Sequence, residues 1–389
     1  MTSEVAVVAV GQSKHGKRQE VSWVELVHEA AKEALGNADL TASDVDALVC
    51  GSMPALMEGT NDPHHWWVDG LGAQSKPIMR IATCGSTGIS TAISAYFHVA
   101  SGLFDIVMAL GTEKMYEGSP QGTMTALGEP QFVRPFFPGA VAGFAIQCME
   151  YIHRYGKSVK EIAEYAALVS VKNHNDAMDN PKAHVRNQIT TSDVRDSRMV
   201  CFPIRLLDSC PVSDGACALI FASKKMAGKI AKIPAWIKGV GYAGDEQLYG
   251  DHDLVEWNSA KNAISRAYKM AGIINPIKQL DVAELYNPFT YQELLWYELF
   301  KFCEKGQGPR LIKDGVVTRN GELPCDPSGG VLCTNPIGAS GLIRVGEAAI
   351  QVMNQAGRHQ IPDVETALAH AMGGLMQFNG VMILSSNKS

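Results

Sequence analysis

Cys84 is the residue whose type and position most strongly predict chemistry. It lies in the run ATCGSTGISTAISAYFHVASG (82–102), where a short apolar stretch ends in small residues and a helical pattern begins. Unpaired N–H groups and the helix dipole at such a junction favour a thiolate, which is suited to accepting an acyl group. Gly85 and Gly88 leave the backbone bare for an approaching substrate carbonyl. A small buried core cysteine is the alternative interpretation.

A second glycine-rich constellation covers 328–346, with the sequence SGGVLCTNPIGASGLIRVG. Asn335 on its loop carries an amide that can donate to a developing oxyanion, and Ser340 at the following helix start is a candidate substrate-binding residue. A turn-capping role is the alternative for Asn335. The pattern is not a phosphate-binding loop, and no dinucleotide fingerprint follows the first predicted strand.

Tyr286 and Asn287 come at the end of the predicted strand LDVAELY (280–286). The carboxyl ends of strands are the usual ligand side of α/β sheets, so both are candidate catalytic residues. The alternative is a tyrosine packed in the core, followed by an asparagine that forms the turn.

His370 lies in ETALAHAMGG (365–374), a predicted strand that ends in Gly373 and Gly374. A histidine there can move protons near neutral pH, and the glycines can offer bare N–H groups to a carbonyl oxygen. A structural histidine satisfied within the core is the alternative.

An aromatic cluster, His64-His65-Trp66-Trp67, falls in a predicted loop over 59–75. We consider His64, Trp66 and Trp67 as a wall for a flat acyl group or an adenine. The alternative is an exposed loop that folds onto a partner subunit.

Composition narrows the class of protein. The 389 residues are 46% hydrophobic and 19% charged, with a formal net charge of −6 and no basic run. These values give no pull toward nucleic acid or anionic membrane, and no apolar stretch reaches the length of a membrane span. The nine cysteines form no CxxC pair, so neither a metal site nor a disulfide framework is predicted. Without a basic segment before its first apolar run, the chain is expected in the cytoplasm.

Strand-like and helix-like segments alternate twice along the chain, and the two stretches share an order of elements. Each contains a small-residue turn that opens a buried helix, so two helix N-termini are expected at a shared cleft. The fold class is α/β with mostly parallel sheets. We expect an N-terminal half over 1–113 and 209–232, an insertion over 114–208, and a C-terminal half over 233–389.

Together, these segments resemble the thiolase superfamily, specifically its sterol-carrier-protein-2-type branch. The resemblance runs nearly end to end and is carried by the opening VAVVAVGQSKHGK, the Cys84 turn, SDGACALIF at 213–221, NPIGASG at 335–341 and the late AHAMGG. It implies an αβαβα sandwich of two duplicated halves with an inserted loop domain, and a homodimer. It further implies that coenzyme A is a substrate and that no cofactor is tightly bound.

The resemblance also implies roles for individual residues. Cys84 corresponds to the acyl-accepting nucleophile, and its N–H with that of Gly373 or Gly374 would form the oxyanion hole. The family's Asn-Glu-Ala-Phe segment corresponds to residues 286–289 and its Gly-His-Pro to residues 334–336, so Asn335 stands in place of a histidine.

These departures affect proton transfer. The family's late Cys-x-Gly corresponds to the stretch from His370 to Gly373, which contains no cysteine. Asn335 cannot act as a base, and Tyr286 is a poor one because a phenol titrates near pH ~10. His370 is then the only histidine at a position that matches a motif.

The departures fit thiolysis of a bulky or aromatic 3-oxoacyl-CoA, as in the benzoylsuccinyl-CoA thiolases. Related members associate with a small zinc-ribbon/OB-fold protein, so such a partner is expected as well. A decarboxylating ketoacyl synthase and a non-catalytic, thiolase-like scaffold subunit are the alternative functions.

Overall fold

The computed structural model describes residues 4–387 except 54–56, 58, 138, 247–252 and 375. Eleven strands form over these residues: β1 (Val5–Gln12), β2 (Ala47–Gly51), β3 (Ile78–Ile81), β4 (Ile106–Lys114), β5 (Met199–Cys201), β6 (Ile204–Arg205), β7 (Asp214–Ser223), β8 (Ala235–Gly244), β9 (Val282–Glu284), β10 (Thr366–Gly373) and β11 (Phe378–Ser385).

The α-helices of the same residues are α1 (Trp23–Asn37), α2 (His64–Leu71), α3 (Thr87–Ala100), α4 (Pro120–Ala126), α5 (Ala140–Arg154), α6 (Val159–Ala177), α7 (Thr191–Asp196), α8 (Lys224–Ile230), α9 (Asn258–Ala271), α10 (Pro276–Gln279), α11 (Thr290–Leu299), α12 (Gly308–Lys313), α13 (Gly330–Cys333) and α14 (Ile337–Val352).

The sheet confirms the predicted duplication. Nine strands lie in the order β3-β2-β4-β7-β1-β8-β11-β10-β9, and the halves join where β1 pairs with β8. Read outward from that joint, β1-β7-β4-β2 in one half matches β8-β11-β10-β9 in the other. An isolated parallel bridge between Ala283 and Cys325 lies beside β9, where the first half has β3. The second half therefore keeps only a trace of its fifth strand.

The five layers of the predicted sandwich follow from the helix contacts. Helices α1 and α8 cover the outer face of the first half, and α9 covers the outer face of the second. Helices α3 and α14 pack against each other and contact strands of both halves, so they form the central layer. Helix α14 is buried along nearly its whole length, and α3 is buried over its first half, while Phe97 near its end is exposed.

Two sequence predictions about the fold were wrong. The sheet is mixed, not mostly parallel: among the described strands, only β2–β3, β2–β4 and β9–β10 pair in parallel. The segment 59–75 is not a loop throughout, since it contains α2. That helix forms because Trp67 and Leu71 share a buried face, and it ends at Gly72, whose φ of 61° gives a left-handed C-cap.

Glycines permit the close approach of the two central helices. A methyl group added at Gly88 would lie 2.2 Å from the backbone nitrogen of Leu342, and one at Gly341 would lie 2.7 Å from that of Ile89. Gly88 therefore allows the two helices to pack closely. The sequence context had instead predicted that Gly88 leaves room for the substrate.

We expect Gly88→Ala to destabilise the protein by about 1–3 kcal/mol or more, because the added methyl group overpacks the helix crossing. Thermal unfolding followed by circular dichroism measures the effect. Gly228→Ala is the matched control, since nothing lies within 4 Å of its added methyl group on α8. An unchanged melting temperature for Gly88→Ala would contradict this account of the crossing.

The predicted insertion, 114–208, contains α4 to α7 and the two-stranded hairpin β5–β6. Helix α6 packs on α11, α12 and α13 of the second half, so the segment covers the edge of the sandwich near the loops after β9. Among the described residues, no helix is both long enough and apolar enough to cross a bilayer.

Candidate active site

A cavity of about 140 Å³, which opens to solvent, lies between the insertion and the two halves. Cys84, Tyr286, Asn335, Gly373 and Gly374 all line it. The turn before α3 and the first residue of α14 line this space, which agrees with the shared cleft expected from the duplication. Five of the residues singled out in the sequence are therefore brought together from segments up to 290 positions apart.

Most of the remaining wall is apolar. It is formed by the turn after β4, the segment from α4 to α5, the loop after β9 and the start of α14, through Met115, Met124, Leu127, Phe137, Val141, Phe144, Phe289 and Ile337. Gln121, which is exposed, marks the end that opens to solvent. Among the described lining residues, the only ionisable side chains are those of Cys84, Cys210 and Tyr286.

Cys84 lies in a tight turn between β3 and α3. Its φ is +54°, a left-handed conformation that costs a non-glycine residue of order 1–3 kcal/mol and that the surroundings must enforce. Thr87 does so: its N–H donates to the Cys84 carbonyl oxygen at 3.0 Å and its hydroxyl at 2.6 Å. The turn presents a half-buried thiol to the cavity.

The expectation that this location favours the thiolate needs correction. Burial raises the pKa of the Cys84 thiol, and the N–H of Gly374 acts in the opposite direction as a hydrogen-bond donor. Helix α3 begins only at Thr87, so Cys84 precedes its first turn. Desolvation outweighs the favourable backbone groups, and Cys84 ionises less readily than an exposed cysteine.

Gly373 and Gly374 bring the end of β10 against the Cys84 turn. A methyl group at Gly373 would lie 2.2 Å from the carbonyl oxygen of Thr83 and 2.6 Å from the nitrogen of Ser86. Gly374 has a φ of 66°, which turns the chain so that its N–H reaches the sulfur of Cys84. An oxyanion hole formed by these N–H groups remains a proposal that the contacts support.

Asn335 faces the cavity with its amide orientation fixed. Its Oδ1 accepts from the Ser340 hydroxyl at 2.8 Å, so its Nδ2 is directed to the sulfur of Cys210, 3.1 Å away. Ser340 thus orients Asn335 from behind and is not among the residues that line the cavity. The amide donates to a thiol here and does not point to an empty oxyanion position.

Cys210 is the cavity residue that sequence reasoning missed. It follows the insertion, and its N–H donates to the carbonyl oxygen of Pro288 at 2.9 Å, which ties it to the segment after β9. Burial raises its pKa to about 12, against the lowering effect of the Asn335 amide. Its position directly before the matched SDGACALIF segment was the available signal.

Tyr286 is buried, with its ring against the Cys84 turn. A methyl group at Gly85 would lie 2.9 Å from its hydroxyl oxygen, and burial with the nearby thiols of Cys210 and Cys84 raises its pKa. The phenol therefore stays protonated at neutral pH, as its ordinary chemistry had indicated.

Asn287 lies outside the cavity, within a buried polar network. Its Nδ2 donates to Glu293 at 2.6 Å and to Asp326 at 3.0 Å, and its Oδ1 accepts from the N–H of Val331. Lys172 also pairs with Glu293. The predicted catalytic role for Asn287 finds no support in this placement, because its polar atoms hold α13 and the loop before Asn335.

His370 is likewise outside the cavity. Its ring packs edge-on against Trp296 and Phe300, with centroids 4.3 and 5.0 Å away, and its Nε2 lies 3.1 Å from Oδ1 of Asn379. Burial lowers its pKa to about 3. The ring is therefore neutral and enclosed, which does not support the predicted role in moving substrate protons.

The aromatic cluster packs elsewhere too. Trp67 is buried on α2 against Trp23 of α1, with ring centroids 5.1 Å apart, and Trp66 is 45% exposed. Neither they nor His64 line the cavity with Cys84. The amphipathic helix α2 directs Trp67 to the outer face of the first half, away from the central layer.

The part of the chain that the structure describes has no cluster of three or more His, Cys, Asp or Glu side chains arranged for a metal ion.

A duplicated five-layer sandwich with a cysteine at the turn before a central helix defines the thiolase class of enzymes. The chain belongs to the thiolase family: residues 5–202 match the thiolase N-terminal domain and residues 242–386 the thiolase C-terminal domain-like family. This membership makes it an acyl-CoA C-acyltransferase.

Individual relatives cover almost the whole chain. It is 31% identical to an acetyl-CoA acetyltransferase of Methanothermobacter thermautotrophicus, over 95% of this chain and 96% of the relative. It is 30% identical to the benzoylsuccinyl-CoA thiolase subunit BbsB of Thauera aromatica, over 95% of each. Among solved structures, the Ltp2-ChsH2(DUF35) aldolase matches with a TM-score of 0.85 and 26% identity, over 100% of this chain and 99% of that one.

Proposed function

We propose that this protein catalyses thiolytic cleavage of a bulky or aromatic 3-oxoacyl-CoA through an acyl-enzyme on Cys84. The observation that carries the proposal is the mostly apolar wall of the cavity that Cys84 lines. Its wall includes Met124, Phe144 and Phe289, and a phenyl or branched acyl group would bury more apolar surface against these side chains than an acetyl group can.

The reaction begins with attack of the Cys84 sulfur on the 3-oxo carbon. We assign the oxygen that becomes negative to the backbone N–H groups beside the Cys84 sulfur, such as that of Gly374, because such donors stabilise charge developing in the transition state. Cleavage of the C2–C3 bond leaves the acyl group on Cys84, and the thiol of free coenzyme A then resolves it. Coenzyme A is thus a substrate, with no tightly bound cofactor.

A panel of 3-oxoacyl-CoA thioesters tests the proposal. With added coenzyme A, we expect kcat/KM for benzoylacetyl-CoA to exceed that for acetoacetyl-CoA by about tenfold or more. Faster cleavage of acetoacetyl-CoA would contradict the bulky substrate. Carbon dioxide release from a malonyl thioester would identify a decarboxylating synthase instead. Failure to cleave any of them, with Cys84 no more reactive to iodoacetamide than ordinary thiols, would identify a scaffold.

The helix α5 offers a sharper test of substrate size. We expect Val141→Trp, which fills the cavity, to lower kcat/KM for benzoylacetyl-CoA by about 30-fold and that for acetoacetyl-CoA by about threefold or less. Ile146→Trp is the matched control on the same helix, because Ile146 is 48% exposed and does not line the cavity. Equal losses for both substrates in Val141→Trp would contradict the assignment of this wall.

The partners are also proposals. A homodimer is supported by β3, which pairs only with β2 among the described strands and carries the exposed Met79. A small zinc-ribbon/OB-fold partner is supported by the structural similarity to a protein that is paired with ChsH2(DUF35). Light scattering of the purified chain measures the first, and a monomer would contradict it.

A further inference from the structure

The proposed reaction needs a group that gives a proton to the α-carbon, and the cavity limits the choice. No His, Asp, Glu, Lys or Arg is among its described lining residues. Cys84 is occupied by the acyl group at that moment. Of the two remaining ionisable side chains, Tyr286 would have to become a buried phenolate, which both thiols and burial oppose.

Cys210 is placed for this task by contacts from two sides. Its backbone is tied to Pro288, and Asn335 donates to its sulfur at 3.1 Å. A donor aimed at sulfur stabilises the thiolate that would remain after proton loss. The Ser340 hydroxyl fixes that donor by occupying the other end of the amide.

The same arrangement explains why an asparagine suits this position. An amide cannot remove a proton, but it can hold a thiolate without competing for the proton. Asn335 therefore acts on Cys210, and the proton is exchanged between Cys210 and substrate.

Resting on the thiolase reaction above, we propose that Cys210 is the catalytic residue that exchanges a proton with the substrate α-carbon, and that Asn335 is its positioning residue. In the reactive form the two cysteines share one proton, with Cys84 as thiolate and Cys210 as thiol.

The protons balance over one turnover. When the Cys84 thiolate takes the acyl group and the C2–C3 bond breaks, the electron pair left on C2 takes the proton of Cys210. The Cys210 thiolate next removes the thiol proton of coenzyme A, whose sulfur attacks the acyl-enzyme. Release of the new acyl-CoA restores the Cys84 thiolate and the Cys210 thiol.

Exchange of the α-protons of acetyl-CoA and succinyl-CoA in D2O, read by mass spectrometry, tests the proposal. We expect Cys210→Ala and Cys210→Ser to lower the exchange rate by about 10²- to 10⁴-fold. Both variants should still form an acyl adduct on Cys84 from benzoyl-CoA, since that step needs no α-proton. The serine variant keeps the side-chain volume and guards against a folding defect.

Cys303→Ala is the matched control. Burial raises the pKa of Cys303 to about 12 as well, yet this residue does not line the cavity, so its variant should exchange at the wild-type rate. Exchange by either Cys210 variant within threefold of wild type would overturn the inference. A wild-type protein that neither exchanges nor acylates would instead overturn the proposed function, and the inference with it.

The pH dependence of exchange in Asn335→Ala tests the role of Asn335, because a purely structural role would leave that dependence unchanged. Loss of the N–H donor raises the pKa of Cys210, so the exchange rate should reach its plateau at higher pH than in wild type. Cys84 and Tyr286 are the other titratable groups of the cavity, and Asp208, two residues before Cys210, is bound by the Thr290 hydroxyl at 2.8 Å. An unshifted pH profile would contradict the role given to Asn335.

Discussion

Replacing Cys84 by alanine is expected to lower kcat for thiolysis by at least about 10⁴-fold, because the acyl group then has no acceptor. The turn should survive, since its hydrogen bonds run from Thr87 to the backbone of residue 84. The rate of coenzyme A-dependent cleavage, followed by loss of the 3-oxoacyl thioester, measures the effect.

Two further variants define the specificity of that loss. Cys84→Ser tests whether sulfur is required at this position. It should be nearly as inactive as Cys84→Ala, because an alkoxide forms far less readily than a thiolate. Cys303→Ala removes a cysteine that does not line the cavity and should retain full activity. Substantial thiolysis by Cys84→Ala would place the reaction elsewhere.

The second large effect concerns stability. Arg344 is 1% exposed on the central helix α14, where it pairs with Glu284 and donates to the Ser328 hydroxyl at 2.7 Å. Arg344→Met would leave Glu284 buried without its partner charge. We expect a loss of about 3–5 kcal/mol in the free energy of unfolding, measured in urea at pH 8.

The pH dependence of this loss identifies its cause. Burial already raises the pKa of Glu284, and Arg344 counteracts part of that rise. A carboxyl whose folded-state pKa is raised stabilises the fold most below its unfolded pKa, and this contribution disappears as pH rises through the folded value. Without Arg344 the folded value rises further, so the deficit of Arg344→Met should shrink markedly at pH 5.

Arg310→Met is the control for this variant. Arg310 forms an exposed pair with Asp314 at 3.0 Å, worth about 0.5 kcal/mol or less. A deficit for Arg344→Met that is equal at both pH values would show that lost packing, not the buried carboxylate, dominates.

The buried network around Arg344 also explains why the predicted catalytic role of Asn287 finds no support in the structure. Glu284 ends β9 and Asn287 lies three residues further on, where polar residues indicate ligand binding in a sheet of this class. Here their partners are Asp326, Glu293, Ser328 and Arg344, which come from α11, α14 and the loop between them. A local pattern cannot show such long-range partners.

What the sequence predicts well is backbone geometry. The Cys84 turn, the glycines at the end of β10 and the Asn335 loop before α14 each have a local signature in the sequence, and all three line the cavity. The role of Cys210 has no such signature beyond its place shortly before SDGACALIF (213–221), because its partner Asn335 is 125 residues away along the chain. His370 has a local signature but lies outside the cavity. The rings of Trp296 and Phe300 enclose its imidazole, so it cannot exchange protons with the substrate.

The pKa of the Cys84 thiol likewise could not be predicted from the local sequence. Position before a helix predicts an acidic thiol, but the desolvation of Cys84 depends on the apolar walls that α4 and α5 bring to the cavity. Those walls belong to the insertion, so sequence near the cysteine carries no information about them.

The most direct measurement is the intact mass of the wild-type protein after reaction with benzoylacetyl-CoA in the absence of free coenzyme A. We predict a gain of one benzoyl group per chain, located on the peptide that contains Cys84, with release of acetyl-CoA. Turnover in the presence of coenzyme A without any adduct on Cys84 would contradict it.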